Sequence, residues 1–312
     1  MVAGGSGFLG QKLTKRLEAA GHSVAWLTTR LLNSAPDGAF NTTRLNAPPG
    51  GNFNAIQWNP DGVGARLEKH LDGVDAVVNL AGASIAGKRW TAARKEALRS
   101  SRLLSTRTLA RAIKACSKPP RVFVSGSGIG YYGALGDEPV TEDAPPGSDF
   151  LARLCVEWEQ EARAAESPAT RVVIARTALA LDRDEGALAK MLLPFKLCLG
   201  ATLGSGRQYM PWIHVDDWTA MVAWLISEER ASGAFNVSAP EPVTNRDFTR
   251  TLGRVLGRPA VFVAPAFVLQ MALGELASAL LTGQRALPAC AEQHGFRFSY
   301  PTLEPALRSL NL

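Results

Sequence analysis

Short apolar runs separated by helical patterns organise the first part of this chain. Leu9, Leu13 and Leu17 recur with the spacing of one helix face, and Gly21 follows where such a helix would end. Residues 23–28 then have the pattern of a short buried strand. Only three residues precede the first glycine, so we expect either a short first strand or a true start further upstream. Together these patterns predict a strand–helix–strand unit.

The same alternation continues to about residue 181. Further strands are predicted at 55–58, 76–80, 122–124 and 171–175. Helices are predicted at 67–71, 90–115 and 150–165, and the polar segment 31–54 is predicted to be a surface loop. Strands that alternate with helices predict an α/β fold with a doubly wound parallel sheet.

Beyond residue 181 the alternation loosens. An apolar helix is expected to break near Pro194, and the tail is rich in helical patterns. We therefore predict a nucleotide-binding domain over residues 1–182. Residues 212–238 are predicted to return to this domain and form part of it. Residues 183–211 and 239–312 are predicted to form a smaller cap that binds the substrate.

Three glycines at the N-terminus are the first indication of a binding site. Gly4, Gly7 and Gly10 have the spacing G-x-x-G-x-x-G and open directly into the first predicted helix. The first permits a tight turn, the second lets backbone N–H groups approach a diphosphate, and the third lets the helix pack closely on the sheet. With Phe8 and Leu9 they form the predicted phosphate contact. The alternative is an ordinary tight turn.

The end of the second predicted strand indicates which dinucleotide binds. An acidic residue about twenty residues after the glycines usually binds the ribose 2′-hydroxyl of NAD(H), but here Thr28, Thr29 and Arg30 follow instead. Hydroxyl and guanidinium groups suit a 2′-phosphate, so we predict NADP(H) as the cofactor. The alternative for Arg30 is a solvated residue that opens the loop. The small residues Ala81 and Gly82 end another predicted strand, where a cofactor crosses the sheet edge.

Composition narrows the class of protein. The 312 residues are 46% hydrophobic and carry a formal net charge of +6, but the basic residues are dispersed, so we expect no nucleic acid partner. No apolar run has the length of a membrane span and no signal peptide is evident, so we expect a cytoplasmic protein without a membrane partner. A location in an organelle remains the alternative if the chain starts further upstream. The four cysteines and four histidines lack metal-ligand spacing, so we predict reduced thiols and no metal.

Several motifs resemble those of the extended short-chain dehydrogenase/reductases. They are the glycine turn, NLAG at 79–82, SGSGIGYYG at 125–133 and WIHVDD at 212–217. A narrower resemblance is to the atypical "epimerase family" branch, which has bacterial, human and plant chloroplast members. It is carried by KRW at 88–90, SR at 101–102, WE at 158–159, LLPF at 192–195, GSG at 204–206 and GQR at 283–285.

The resemblance implies an NADP-binding Rossmann domain whose small-molecule substrate is unknown. It assigns Thr29 and Arg30 to the adenosine phosphate and Leu80 and Ala81 to the cofactor. It further implies that Arg102 and Arg176 reach toward the cofactor; the alternative for Arg102 is a charge on a helix surface. The predicted helices 90–115 and 150–165 could also pair between two copies, as in many relatives of this fold, which would make a homodimer.

The acid–base pair of the superfamily is missing. Extended reductases carry Tyr-x-x-x-Lys on the helix after the serine-containing strand, where the sequence places Phe150 and Leu154. Ser127, Tyr131 and Tyr132 are the candidate substitutes, although the tyrosines could also simply pack beside the cofactor. The sequence therefore predicts an NADP(H)-dependent oxidoreductase or epimerase-like protein. The alternative is a catalytically weak NADP(H)-binding scaffold or redox sensor that acts through protein partners.

Overall fold

The computed structural model describes residues 1–29, 42–46, 52–64, 66–86 and 88–312. Arg30, which the sequence assigns to the adenosine phosphate, lies outside the described residues.

The strands follow one another in chain order with the helices between them. They are β1 (Val2–Ala3), β2 (Ala25–Thr28), β3 (Thr42–Asn46), β4 (Asn52–Gln57), β5 (Ala76–Asn79), β6 (Val122–Gly128), β7 (Pro139–Val140), β8 (Arg171–Thr177), β9 (Leu179–Leu181), β10 (Ala201–Leu203), β11 (Tyr209–Met210), β12 (Trp212–His214), β13 (Gly233–Val237), β14 (Val243–Thr244), β15 (Phe262–Ala264) and β16 (Arg285–Ala286).

The α-helices are α1 (Phe8–Ala19), α2 (Glu68–Leu71), α3 (Ala92–Ala115), α4 (Phe150–Arg163), α5 (Gly186–Lys196), α6 (Val215–Ser227), α7 (Asn245–Leu256), α8 (Ala266–Leu273), α9 (Leu276–Leu281), α10 (Ala289–Gln293) and α11 (Leu303–Ser309). A short 3₁₀ helix, Ile129–Tyr132, follows β6 directly.

One large sheet organises the fold. Its strand order among the described residues is β13-β8-β6-β5-β1-β2-β4-β3. The seven strands from β13 to β4 are parallel, and β3 pairs antiparallel with β4 at the edge. Apart from the edge strand β3, the parallel strands run outward from β1 in chain order in both directions, so the predicted doubly wound α/β fold is confirmed.

The predicted surface loop at 31–54 is wrong in part. β3 lies inside that segment, and β4 begins in it, three residues before the predicted strand. β3 is the edge strand of the sheet, paired with β4 on one side only, and such a strand does not need the apolar run of a buried central strand.

Helices cover both faces of the sheet. On one face α1 and α6 bury Leu13, Trp218 and Met221 against the strands. On the other face α3 contributes Leu109 and Ile113 to a second apolar core, together with side chains of α2 and α4. Because both faces are covered, the carboxyl ends of the strands are where a ligand can reach the backbone of the sheet.

The helix that the sequence breaks near Pro194 is continuous. α5 runs through Pro194 and ends at Lys196. Proline removes one backbone hydrogen bond inside a helix, and the break was predicted for that reason. Here Leu192 and Phe195 are buried in the core of the C-terminal part, next to Trp212, and this burial offsets the lost hydrogen bond.

Candidate cofactor site

The glycines at the N-terminus bring the first turn against the end of β5. Gly4 has φ +80°, and a β-carbon there would lie 2.7 Å from the carbonyl carbon of Leu80. A β-carbon on Gly10 would lie 2.3 Å from the carbonyl oxygen of Gly4. Both distances are below any normal contact, so a side chain at either position would push the turn or the helix away from the sheet.

The N-terminus of α1 presents free donors. Gly7 is the N-cap residue and makes no side-chain cap. Within the described part of the chain, the N–H groups of Phe8, Leu9 and Gly10 meet no hydrogen-bond acceptor. Such N–H groups, aligned with the positive end of the helix dipole, bind a phosphate group well.

The end of β5 lies beside this turn. The N–H of Leu80 donates to the carbonyl oxygen of Ala3 at 2.8 Å, and the N–H of Ala81 donates to the side chain of Asn79 at 3.1 Å. Gly82 follows and is exposed. The structure therefore brings the predicted contacts of the glycine turn and of the β5 end to one edge of the sheet.

Arg102 reaches the same edge from α3. A β-carbon on Gly82 would lie 3.2 Å from the guanidinium carbon of Arg102, and that side chain is only 7% exposed. Its guanidinium donates to the carbonyl oxygen of Leu98 and lies over the ring of Trp158. Burial lowers the pKa of Arg102 to about 10, and no ion pair among the described residues compensates its charge. An anion at this edge would stabilise the buried cation.

The residues predicted to contact the adenosine phosphate follow β2, which pairs with β4. Thr28 is the register partner of Gln57, and the N–H of Trp58 donates to the carbonyl oxygen of Thr28 at 2.9 Å. Thr29, the next residue, is exposed. Gln57 is therefore a further candidate that the sequence analysis missed, because only the pairing of β4 with β2 places it beside Thr29. Trp58 is buried in the apolar core.

A buried ion pair lies beneath the ends of β6 and β8. Arg176 is 2% exposed, and two of its nitrogens donate to the two carboxylate oxygens of Glu159 at 2.8 Å and 2.9 Å. Burial opposes the charge of Arg176, but the hydrogen bonds and charge of Glu159 raise its pKa overall. The hydroxyl of Ser127 also donates to Glu159, at 2.8 Å. The hydroxyl of Ser127 is therefore engaged in a hydrogen bond inside the protein.

Tyr132 belongs to the same buried network. Its hydroxyl donates to the side chain of Asn236 at 2.8 Å and accepts from Arg176 at 3.0 Å. Burial raises the pKa of Tyr132 to about 12. A carboxylate oxygen of Glu142 accepts from the backbone N–H of Asn236, and burial raises the pKa of Glu142. Tyr132 is 1% exposed, so its side chain is part of the interior and does not face the edge of the sheet where the strands end.

Tyr131 is placed differently. Its ring lies 3.5 Å from the guanidinium of Arg176 and edge-on to Tyr132. The residue is only half-buried, and none of the described residues is a hydrogen-bond partner of its hydroxyl. Of the three predicted catalytic candidates, Tyr131 alone keeps a free polar group. Arg176 lies behind it with its hydrogen bonds used internally, so its contact with a cofactor stays a prediction.

The face of α4 that looks onto the strand ends differs from the predicted one. Leu151 packs against Gly130, Cys155 lies against the carbonyl oxygen of Gly128, and Glu159 follows one turn later. Phe150 and Leu154 belong to an apolar cluster shared with α3, which Leu151 also contacts. The positions four residues apart that face the site are thus Leu151 and Cys155.

In neither register does α4 carry a tyrosine and a lysine. Burial raises the pKa of Cys155 to about 11, so its thiol stays protonated near neutral pH. Neither position on this helix face therefore supplies an acid–base pair. The described residues also contain no cluster of His, Cys, Asp or Glu that could hold a metal ion.

Two glutamates of α4 allow the buried ion pair to be tested against an exposed one. We expect Glu159→Gln to lower the free energy of unfolding by about 3 kcal/mol, because it leaves the charge of Arg176 buried without a partner. Glu157→Gln removes only the exposed pair with Arg99 and is expected to cost less than about 1 kcal/mol. Urea unfolding of both variants measures this, and equal losses would contradict the structural role of Glu159.

The comparisons with family models cover most of the chain. Residues 1–238 match the NAD dependent epimerase/dehydratase family. Residues 264–310 match a domain of unknown function, DUF1731.

Relatives and a solved structure match over nearly the whole length. The chain is 39% identical to the epimerase family protein Mb2239 of Mycobacterium bovis, over 98% of this chain and 95% of the relative. It is 39% identical to the epimerase family protein YfhF of Bacillus subtilis, over 99% and 96%. The crystal structure of human epimerase family protein SDR39U1 (isoform 2) with NADPH is similar with a TM-score of 0.86 and 34% identity, over 99% of this chain and 97% of that one. The chain therefore belongs to the NAD dependent epimerase/dehydratase family, and within it to the epimerase family proteins that include SDR39U1.

Proposed function

We propose that this protein is an NADP(H)-dependent oxidoreductase or epimerase-like enzyme with a small-molecule substrate. The observation that carries the proposal is the free N–H groups at the start of α1, which lie beside the small residues that end β5. That arrangement suits the diphosphate of a dinucleotide. The NADPH in the human SDR39U1 structure supports the same cofactor for this chain.

The preference for NADP(H) rests on the end of β2. Thr29 is exposed there, and Arg30 follows it in the sequence. A guanidinium that contacts the 2′-phosphate would contribute about 1.5–3 kcal/mol, which is about one to two decades in affinity over NAD(H). No acidic residue stands at this position to favour a free 2′-hydroxyl.

The reactive end of the cofactor would lie where β5 and β6 end. Gly82 leaves room at that edge, and Arg102 supplies a buried positive charge beside it. When bound, NADP(H) supplies or accepts the hydride. The chain's own task is to exclude water, orient the substrate and move a proton. Tyr131 is the group we propose for the proton, because its hydroxyl has no partner among the described residues.

A second candidate function is an NADP(H)-binding scaffold or redox sensor that acts through protein partners. The observation that favours it is the α4 face with Leu151 and Cys155, which offers no acid–base pair. General acid–base assistance contributes about 10²–10⁴-fold to the rate, so its loss would leave a slow catalyst. The two functions share the cofactor site and differ in whether Tyr131 transfers a proton.

Cofactor preference tests the shared part of both functions. We expect tight NADPH binding that Arg30→Ala weakens by about tenfold or more, toward the affinity for NADH, because the 2′-phosphate loses its charge-assisted contact. Fluorescence titration with NADPH and NADH measures both affinities. Arg16→Ala is the control, since Arg16 is exposed near the far end of α1. Equal weakening for NADPH and NADH, or no binding of either, would contradict the proposed phosphate contact.

Tyr131→Phe separates the enzyme from the sensor. We expect this variant to oxidise bound NADPH about a hundredfold more slowly than the unchanged protein in the presence of a reactive aldehyde or ketone panel. Its affinity for NADPH should not change, because the ring and its contact with Arg176 remain. Single-turnover absorbance of NADPH follows the reaction. A rate that does not depend on Tyr131, or no oxidation in the unchanged protein, would favour the sensor.

A further inference from the structure

The exposed apolar side chains of this protein are concentrated on one part of the C-terminal region. Of the thirteen large apolar side chains that are exposed among the described residues, ten lie in two segments, around the end of α5 and from Val261, just before β15, to α9. We call these ten the apolar face: Leu193, Leu197, Leu199, Val261, Phe262, Val263, Phe267, Val268, Met271 and Leu280.

Pairing of two short strands joins the segments. β10, which follows α5, pairs in parallel with β15, so Ala201 lies opposite Phe262 and Thr202 opposite Val263. α8 follows β15 after one residue, and no residue of that helix is buried. Phe267 is 61% and Met271 68% exposed. α8 is apolar except for one glutamine, and Leu273 at its end is the residue of this helix that packs against a core cluster of the described residues. An apolar helix with so much of its surface exposed is typical of a contact surface for a partner.

Basic residues predominate beside the apolar face, and Glu275, the acidic residue between Met271 and Leu280, is paired with Lys95. Residues 186–210 and 248–274 contain no Asp or Glu. The exposed cations Lys190 and Lys196 lie on α5, and Lys196 stands next to Leu197 in the chain. Arg258, also exposed, precedes Val261 by three residues. The described residues provide no salt bridge for these three cations.

We propose that the apolar face docks this protein onto the surface of an anionic lipid bilayer. Two copies that met through this face would bring like charges together, whereas an anionic surface complements the cations. Apolar side chains of an interfacial helix enter the region of the lipid headgroups and upper acyl chains, and basic residues remain at headgroup level. None of the described helices is long and apolar enough to cross a bilayer, so the attachment is peripheral.

This proposal replaces the expectation, made from the linear sequence, that the protein has no membrane partner. Neither segment has the length of a membrane span, and the apolar face forms only when β10 and β15 pair. It also gives a role to the region that matches the domain of unknown function, since α8 and α9 lie in that region. Behind the face, Leu273 of α8 and Leu276 of α9 pack in one apolar cluster with Trp90 and Leu98, which fixes these two helices on the fold.

Flotation of the full chain with vesicles tests the proposal. The probes are phosphatidylcholine vesicles with and without phosphatidylserine, and we expect binding to the anionic vesicles only. Lys196→Gln should weaken that binding about fivefold, the factor that corresponds to about 1 kcal/mol per basic residue at an anionic surface. Phe267→Ser should weaken it about tenfold or more, because an exposed ring no longer enters the bilayer.

Matched variants outside the face control for general effects. Lys114→Gln removes an exposed charge near the end of α3, and Val156→Ser removes an exposed apolar side chain of α4. Both should bind anionic vesicles like the unchanged protein. NADPH titration of all variants should be unchanged, which separates this proposal from the proposed function. Equal binding by the face and control variants, no vesicle binding, or a dimer in light scattering that Phe267→Ser dissociates would overturn the proposal.

Discussion

The cofactor edge depends on the close contact between the turn after β1 and the end of β5. A β-carbon at Gly4 would come within 2.7 Å of the backbone of Leu80, and one at Gly10 within 2.3 Å of the oxygen of Gly4. This approach puts the free N–H groups of α1 and the small residues after β5 at one edge of the sheet. A parallel sheet covered on both faces offers a ligand its strand ends, so this contact decides where a dinucleotide can lie.

The buried network under that edge both stabilises the fold and limits its chemistry. Arg176 and Glu159 join β8 to α4, and their pair holds Ser127 and Tyr132 in the interior. Two of the three side chains that the sequence suggested for catalysis, Ser127 and Tyr132, are therefore engaged in hydrogen bonds inside the protein. Tyr131 differs from them, because its hydroxyl has no hydrogen-bond partner among the described residues, and this is why we propose it as the proton-transfer group.

Local patterns predicted the parallel sheet, because glycine spacing and apolar periodicity are short-range signals. They do not predict which residues pair when those residues are far apart in the chain. The hydrogen bond from Asn236 to Glu142 joins residues far apart in the chain, and the antiparallel edge strand β3 lacks an apolar pattern. The sequence assigned the site-facing positions of α4 to Phe150 and Leu154, one residue before Leu151 and Cys155. Helix periodicity alone does not show which face of the helix packs against β6.

A crystal structure of the protein grown with NADPH would show where the dinucleotide lies. We expect the diphosphate within hydrogen-bond distance of the N–H groups that begin α1. We expect the nicotinamide beside Gly82, within reach of the hydroxyl of Tyr131. A cofactor bound away from this helix, or a nicotinamide that points away from the ends of β5 and β6, would contradict this expectation.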